Sequence, residues 1–258
     1  MLKGLYTAYT GMINEQHRMD TMTNNLANAT TVGFKKEGAT SQSFDRVLAY
    51  KIKDTSEPGN LPKRIGTMSM GVKTGENYVD YSGGPFRVTD KTLDLALSKN
   101  GFFTIEYTNK AGETSTKYTR DGNFTMTSEG YIVTQDGDFV LNRNGRPVRV
   151  NPNQEMTIDR RGDIYQEGAY VDSIGITDFA NYDYLERYGE NFFQPVEGAE
   201  FIDADTEVYS GYLEMANLSV VTEMVNMITI QRQYEANQKV ITTYDTTLDD
   251  AVNQNGRV

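Results

Sequence analysis

The sequence has no cysteine and a single histidine, His17. Without thiols there are no disulfides, no thiolate nucleophile and no cysteine-bearing metal site. With one imidazole, the common zinc ligand sets and histidine-based triads are excluded or crippled. His17 lies among Glu15, Gln16, Arg18 and Asp20, on the polar side of a helical pattern, and reads as a solvated side chain. Basic excess is missing as well: 25 Lys and Arg stand against 36 Asp and Glu, a net charge of −11. That balance opposes nucleic-acid binding, which draws its affinity from basic surface. No stretch of about 18 consecutive apolar residues occurs, so no segment is expected to insert in a membrane. The opening "MLKGLYTAYTGMINEQHR" is interrupted by Thr7, Thr10, Asn14 and Glu15, which argues against a cleaved secretory signal. No Walker loop, G-x-G-x-x-G or G-x-S-x-G motif is found. The acidic run "DADTE", Asp203 to Glu207, lacks the spacing of a calcium loop. Pairs of carboxylates are uninformative in a chain this acidic. The expectation is no catalytic residue, no cofactor and no metal.

What is present is concentrated at the two ends. Leu2, Leu5, Tyr9, Met12, Gln16, Met19, Thr23 and Leu26 repeat at 3-4 spacing, the pattern of a coiled-coil seam. Gln16 and Thr23 are polar, and Gly4 and Gly11 fall inside the run, each costing about 1 kcal/mol against Ala. This helix needs a partner. From Ser219 to about Asn253 the chain has neither Gly nor Pro, and Met227, Ile230, Tyr234, Asn237, Ile241, Tyr244, Leu248 and Ala251 repeat the same spacing. Ser219 suits an N-cap and Glu223 the positive helix end. Asn237 is a polar seam residue of the kind that fixes register at a cost in stability.

The middle has a different period. Between about Gly84 and Gly211 the dipeptides Asp121-Gly122, Glu129-Gly130, Asp136-Gly137, Asn144-Gly145 and Arg161-Gly162 punctuate short runs such as "GFFTIEY", "YIVT" and "DFVL". Turn signals between aromatic and β-branched runs predict antiparallel hairpins. Residues 45–84 fit neither pattern. Pro58, Gly59, Pro62 and Gly66 bar a continuous helix, while "GVKTGENYVDY" has strand character. They read as an extended arm. The expected fold class is α+β: long N- and C-terminal helices pairing as a coiled coil, plus a central antiparallel all-β domain. The expected parts are residues 1–30 and 211–258 as one assembly domain, 31–84 as arm, and 85–210 as β domain.

Between the first helix and the arm lies "NNLANATTVGFKK". Asn24, Asn25 and Asn28 suit a helix C-terminus, Thr30, Thr31 and Val32 favour extension, Gly33 permits a bend and Phe34 anchors it by burial. The stretch reads as a joint. The basic islands Lys35-Lys36, Lys51/Lys53 and Lys63-Arg64 read as solvated faces, or as surfaces meeting an acidic neighbour in a self-associating protein.

"NNLANATTVGFK" resembles the N-terminal signature of the bacterial flagellar rod and hook proteins. "SGYLEMANLSVVTEMVNMITIQRQYEANQKVITTYDTTLDDAVN", residues 210–253, is similar to their C-terminal signature, and "LDLALSKNGFFTIE" with "YTRDGNFTMTSEGYIVTQDG" resembles their shared β domain. The chain has "MAN" at Met215–Asn217 and "TYD" at Thr243–Asp245 where that family more often has "MSN" and "TAD". Its length and arm resemble the distal rod type, with the proximal rod type close, more than the longer hook type. The resemblance implies a non-enzymatic basal-body subunit exported through the flagellar type III apparatus and polymerising into a drive shaft. Copies of itself and other rod and hook proteins are the implied partners, with the terminal helices forming an inner tube. The seam residues named above would be the assembly interface. Two further classes remain open on the residues alone, an extracellular β-rich glycan-binding module and a hydrolase using an acidic pair.

Overall fold

The computed structural model describes residues 2–44, 46–51, 63–109, 112–189 and 191–253. The chain folds as two units, one of residues 1–27, 37–79 and 219–258 and the other of 28–36 and 80–218. Lys53 and the breakers Pro58, Gly59 and Pro62 lie outside the described residues.

In the first unit, helix α1 (Leu2–Ala27) packs against helix α2 (Val220–Asn253). Nothing in the α2 sequence interrupts its hydrogen-bond ladder, so it runs for 34 residues, about 50 Å. Its first turn is closed by Ser219, whose carbonyl accepts from the Glu223 N–H at 2.9 Å. The segment between the helices forms two antiparallel ladders. Strand β1 (Glu37–Ser43) pairs β4 (Val72–Val79), and β2 (Val47–Lys51) pairs β3 (Lys63–Met68). Strands β1 and β4 lie on α1, so this part of the expected arm is folded back onto the helix. The contact is polar. The Thr10 hydroxyl accepts from the Val72 N–H, and Asn14 exchanges hydrogen bonds with the Ser41 hydroxyl.

The second unit is β-rich. After the short strands β5 (Phe86–Val88) and β6 (Leu95–Leu97), its main sheet has nine strands among the described residues, in which β7 (Phe102–Thr108) pairs β8 (Thr114–Thr119), and Leu185–Tyr188, Phe192–Pro195, Phe139–Val140, Ile132–Val133 and Thr125–Met126 extend it on either side. Strand Ile176–Phe179 pairs both β7 and Phe201–Asp203. Leu95, Leu97, Phe103, Phe124, Ile132, Val140, Ile164 and Ile174 form one contiguous buried core. Four of the five sequence turn signals build one device. Thr127, Thr134, Asn142 and Asp159 each accept from the glycine three residues on and donate to the carbonyl four residues on. Those glycines, Gly130, Gly137, Gly145 and Gly162, all have positive φ. This is a three-residue hairpin loop closed by a left-handed residue. Gly122 is used otherwise: a Cβ there would meet the Leu95 carbonyl at 1.8 Å, so it serves close backbone approach.

Candidate assembly interface

The α1–α2 contact is organised by the two residues that weaken α1 in isolation. A Cβ on Gly4 would lie 2.3 Å from the Tyr244 hydroxyl oxygen, and one on Gly11 would lie 3.0 Å from Asn237 Nδ2. Seven residues forward along α1 correspond to seven backward along α2. The helices are therefore antiparallel, and glycine lets the long side chains of α2 reach the α1 backbone. On α2 the 3-4 seam faces inward: Ile230 is buried, and Met227, Tyr234, Asn237, Ile241 and Tyr244 are half-buried. Leu248 is 41 % exposed, because the register that sets Tyr244 over Gly4 carries Leu248 past the first residue of α1. On α1, Leu5, Met12, Met19 and Leu26 are half-buried, Tyr9 is 50 % exposed, and Leu2 begins the helix. The deepest α1 positions are Ala8, Thr10, Asn14, Thr21 and Asn25. Sequence periodicity overlooked Ala8, Gly4 and Gly11 because small residues add nothing to an apolar count.

The joint residues divide between the two units. In the first, Asn25 is fully buried, and its amide both donates to the Glu37 carbonyl at 2.7 Å and accepts from the Glu37 N–H at 3.0 Å. It thereby substitutes for one rung of a ladder. Asn24 stands exposed beside it on α1. In the second unit Asn28 closes a turn, accepting from the Thr31 N–H at 3.1 Å and, through Oδ1, from the Thr31 hydroxyl. Gly33 has φ +68°, and a Cβ there would lie 2.5 Å from the backbone joining Arg120 to Asp121. Phe34 is fully buried, with the Arg187 guanidinium 4.5 Å above its ring.

The least expected element is Lys35. Read from sequence as part of a solvated or neighbour-facing island, it is 2 % exposed, and its ammonium donates to Glu214 Oε1 and to the Ser82 carbonyl, both at 2.7 Å. Glu214 is equally buried. Its second oxygen accepts from Arg120 at 3.2 Å, and Oε1 also accepts from the Gly84 N–H. One carboxylate thus joins the segments around residues 35, 84 and 120. Asn217 adds to it, accepting from the Lys36 N–H and donating to the carbonyls of Asp80 and Ser82. Burial lowers the Lys35 pKa, while the Glu214 carboxylate opposes that shift. No sequence signal marks the pair, because its members are 179 residues apart.

Among the described residues that line a cleft of about 860 Å³ beside Thr104, Tyr118, Arg143 and Arg161, Asp203 is the one carboxylate. In the Asp203–Glu207 run, Asp205 pairs Lys99 at 3.0 Å and Glu207 lies 3.7 Å from Arg160. Among the described residues no three or more potential metal ligands cluster, and no helix is long and apolar enough to cross a membrane.

Two outcomes follow from the buried charges. Glu214→Gln leaves Lys35 and Arg120 without their anion and is expected to cost about 3–5 kcal/mol in denaturant unfolding of the β unit. Lys35→Met, which keeps the Arg120–Glu214 pair, should cost clearly less. Asp121 has its pKa raised to about 6, chiefly by burial and further by the charges of Asp136 and Asp94. A carboxyl raised on folding contributes stability that is fully present below its unfolded value and is lost as pH rises through about 6. Asp121→Asn should therefore stabilise the protein at pH 7, by on the order of 1–2 kcal/mol, and give no gain at pH 4. Thermal unfolding at the two pH values reads the difference.

Residues 5–35 match the family model described as "Flagella basal body rod protein", 96–166 that of "Flagellar hook protein FlgE/F/G D1 domain", and 209–254 that of "Flagellar basal body rod FlgEFG protein C-terminal". The chain is 34 % identical to the flagellar basal-body rod protein FlgG of Bacillus subtilis, over 98 % of this chain and 99 % of that one. It is 34 % identical to FlgG of Caulobacter vibrioides, over 95 % and 96 %. With the flagellar hook-basal body complex protein FlhO of Bacillus subtilis the identity is 29 % over the full length of both. Two helical ends that meet, a hairpin-built β unit between them, and full-length similarity at this level establish that the chain belongs to the flagellar basal-body rod protein family.

Proposed function

We propose that the chain is a non-enzymatic structural subunit of the flagellar basal-body rod, polymerising with copies of itself through its terminal helices to form the shaft that carries torque to the hook. The observation that carries this reading is the incomplete burial of α2. Of its 34 residues only Glu223 and Ile230 are buried, while Val221, Met224, Val225, Ile228 and Val252 stand between 48 % and 72 % exposed. An isolated helix gains its stability from packing an apolar face, and this one leaves most of that gain unrealised within a single subunit. Neighbouring helices would supply it, covering the outer face of α2 and closing over what the Met227–Leu248 seam leaves exposed, to form a coiled-coil layer.

In this reading the helical unit is the assembly domain and the β unit the independently cored body. Other rod and hook proteins are the heterologous neighbours, the flagellar export apparatus delivers the chain, and the basal body is its place of work. Full-length similarity to rod proteins supports the rod reading, of distal or proximal type, over the longer hook type. The paired helices weigh against a glycan-binding module, which would have no use for them.

Ile241 tests the reading because it is half-buried in the single chain. A carboxylate there keeps part of its hydration in the monomer and loses it only when neighbours close over the seam. Ile241→Asp should abolish rod assembly, scored by motility complementation and electron microscopy of basal bodies, while thermal unfolding of the β unit is unchanged. Asp249→Asn, on the exposed face of the same helix, should assemble normally. Normal rods from Ile241→Asp would remove the physical support for the proposal.

A further inference from the structure

The helical unit carries two apolar stripes that its own chain does not cover. On α1, Tyr6, Tyr9 and Ile13 are 58 %, 50 % and 43 % exposed. They are spaced i, i+3, i+7, so they share one face. That face lies away from Gly4 and Gly11, which meet α2, and from Thr10 and Asn14, which meet β4 and β1. On α2, Val221, Val225 and Ile228 share a face, flanked by Met224, at 72 %, 57 %, 51 % and 48 % exposure. Each stripe spans about two helical turns. Beyond them the same faces turn polar, at Gln16 and Asp20 on α1 and at Arg232 and Glu235 on α2.

The antiparallel register sets where the stripes lie. With Gly4 under Tyr244 and Gly11 under Asn237, Tyr9 is level with residues close to 239, about fourteen positions from Val225. At 1.5 Å per residue the two stripes of one chain are roughly 20 Å apart along the helix axis. They cannot cover each other within a subunit. They suit each other between subunits: equal in length, one aromatic and one β-branched. The segment Tyr6–Ile13 has no charge, and the only charge in Val221–Ile228 is Glu223, which is buried on the seam face. Little desolvation cost opposes their meeting.

We infer that the Tyr6–Tyr9–Ile13 stripe of one copy docks on the Val221–Val225–Ile228 stripe of a second copy displaced by roughly 20 Å along the helix axis. The inference rests on the rod reading and specifies which surfaces carry it. Both stripes lie on the faces of α1 and α2 turned away from their mutual contact, so copies can join without opening the contact within each. Because the two stripes differ, the contact is heterologous. Each added copy exposes a fresh stripe at its far end, which generates an open polymer rather than a closed dimer.

The absence of native cysteine makes a direct test available. Tyr9→Cys and Val225→Cys in one chain are too far apart to bridge internally, since a disulfide needs Cα atoms about 5.5–6 Å apart. Basal bodies assembled from the double variant and oxidised should yield a ladder of covalent multimers. A mixture of the two single variants should yield dimers and no higher species. Pairing Tyr9→Cys with Glu235→Cys, beyond the stripe, should give at least ten-fold less product. Motile cells with intact rods and no Tyr9–Val225 product overturn this inference while leaving the rod reading in place. A chain with both native stripes that enters no basal-body polymer overturns both.

Discussion

The fold turns on a contact that glycine makes possible: Tyr244 and Asn237 of α2 resting on α1 at Gly4 and Gly11. It brings together the two ends of the sequence, sets their antiparallel register, and decides which faces of both helices are left over. Each glycine costs α1 roughly 1 kcal/mol of intrinsic helicity, so α1 is a helix for its partner's sake. Larger residues at these two positions would strengthen α1 alone and force α2 away from it. The overhang of Leu248 follows from this register, and the outward Tyr6–Ile13 and Val221–Ile228 stripes lie on the faces that the contact turns away.

Rigidity in the β unit comes from a different source. Around Gly33, Lys35, Gly84, Arg120 and Glu214 the chain is held by buried charge and close backbone approach. A buried ion pair contributes little net stability, because desolvation offsets most of its Coulomb energy, but it penalises any arrangement in which one partner is lost. Lys36 and Asp80 lie at boundaries of this unit, and Asn217 next to a third, Leu218. Asn217 bonds the backbone of the first two. The polar network therefore fixes where the chain leaves the β core.

Much of this was legible in the sequence, and the divide between what was and what was not is physical. Hairpin loops are local, so Glu129-Gly130, Asp136-Gly137 and Asn144-Gly145 announced themselves within four residues. The α2 stripe was readable because one apolar face repeats over 34 residues. On α1 the face that meets α2 is built on Gly4, Ala8 and Gly11, so counting apolar side chains finds its flank, at Leu5 and Met12. Lys35 was unreadable for a further reason: burial of a lysine is decided by a partner, and Glu214 stands at the other end of the chain. The folding of residues 37–43 and 72–79 onto α1 rests on hydroxyls and amides, residue types that sequence patterns assign to solvent.

Amide hydrogen exchange before and after assembly reaches the central claim most directly, that the terminal helices are completed by neighbouring copies. Exchange reports local opening energies residue by residue. In dilute monomer the amides of Val220–Asn253 should exchange far faster than those of β7 and β8. On incorporation into the rod they should slow by several orders of magnitude while the β unit stays as it was. Protection of α2 in the monomer equal to that of the β core, or no change in α2 on assembly, would contradict the account.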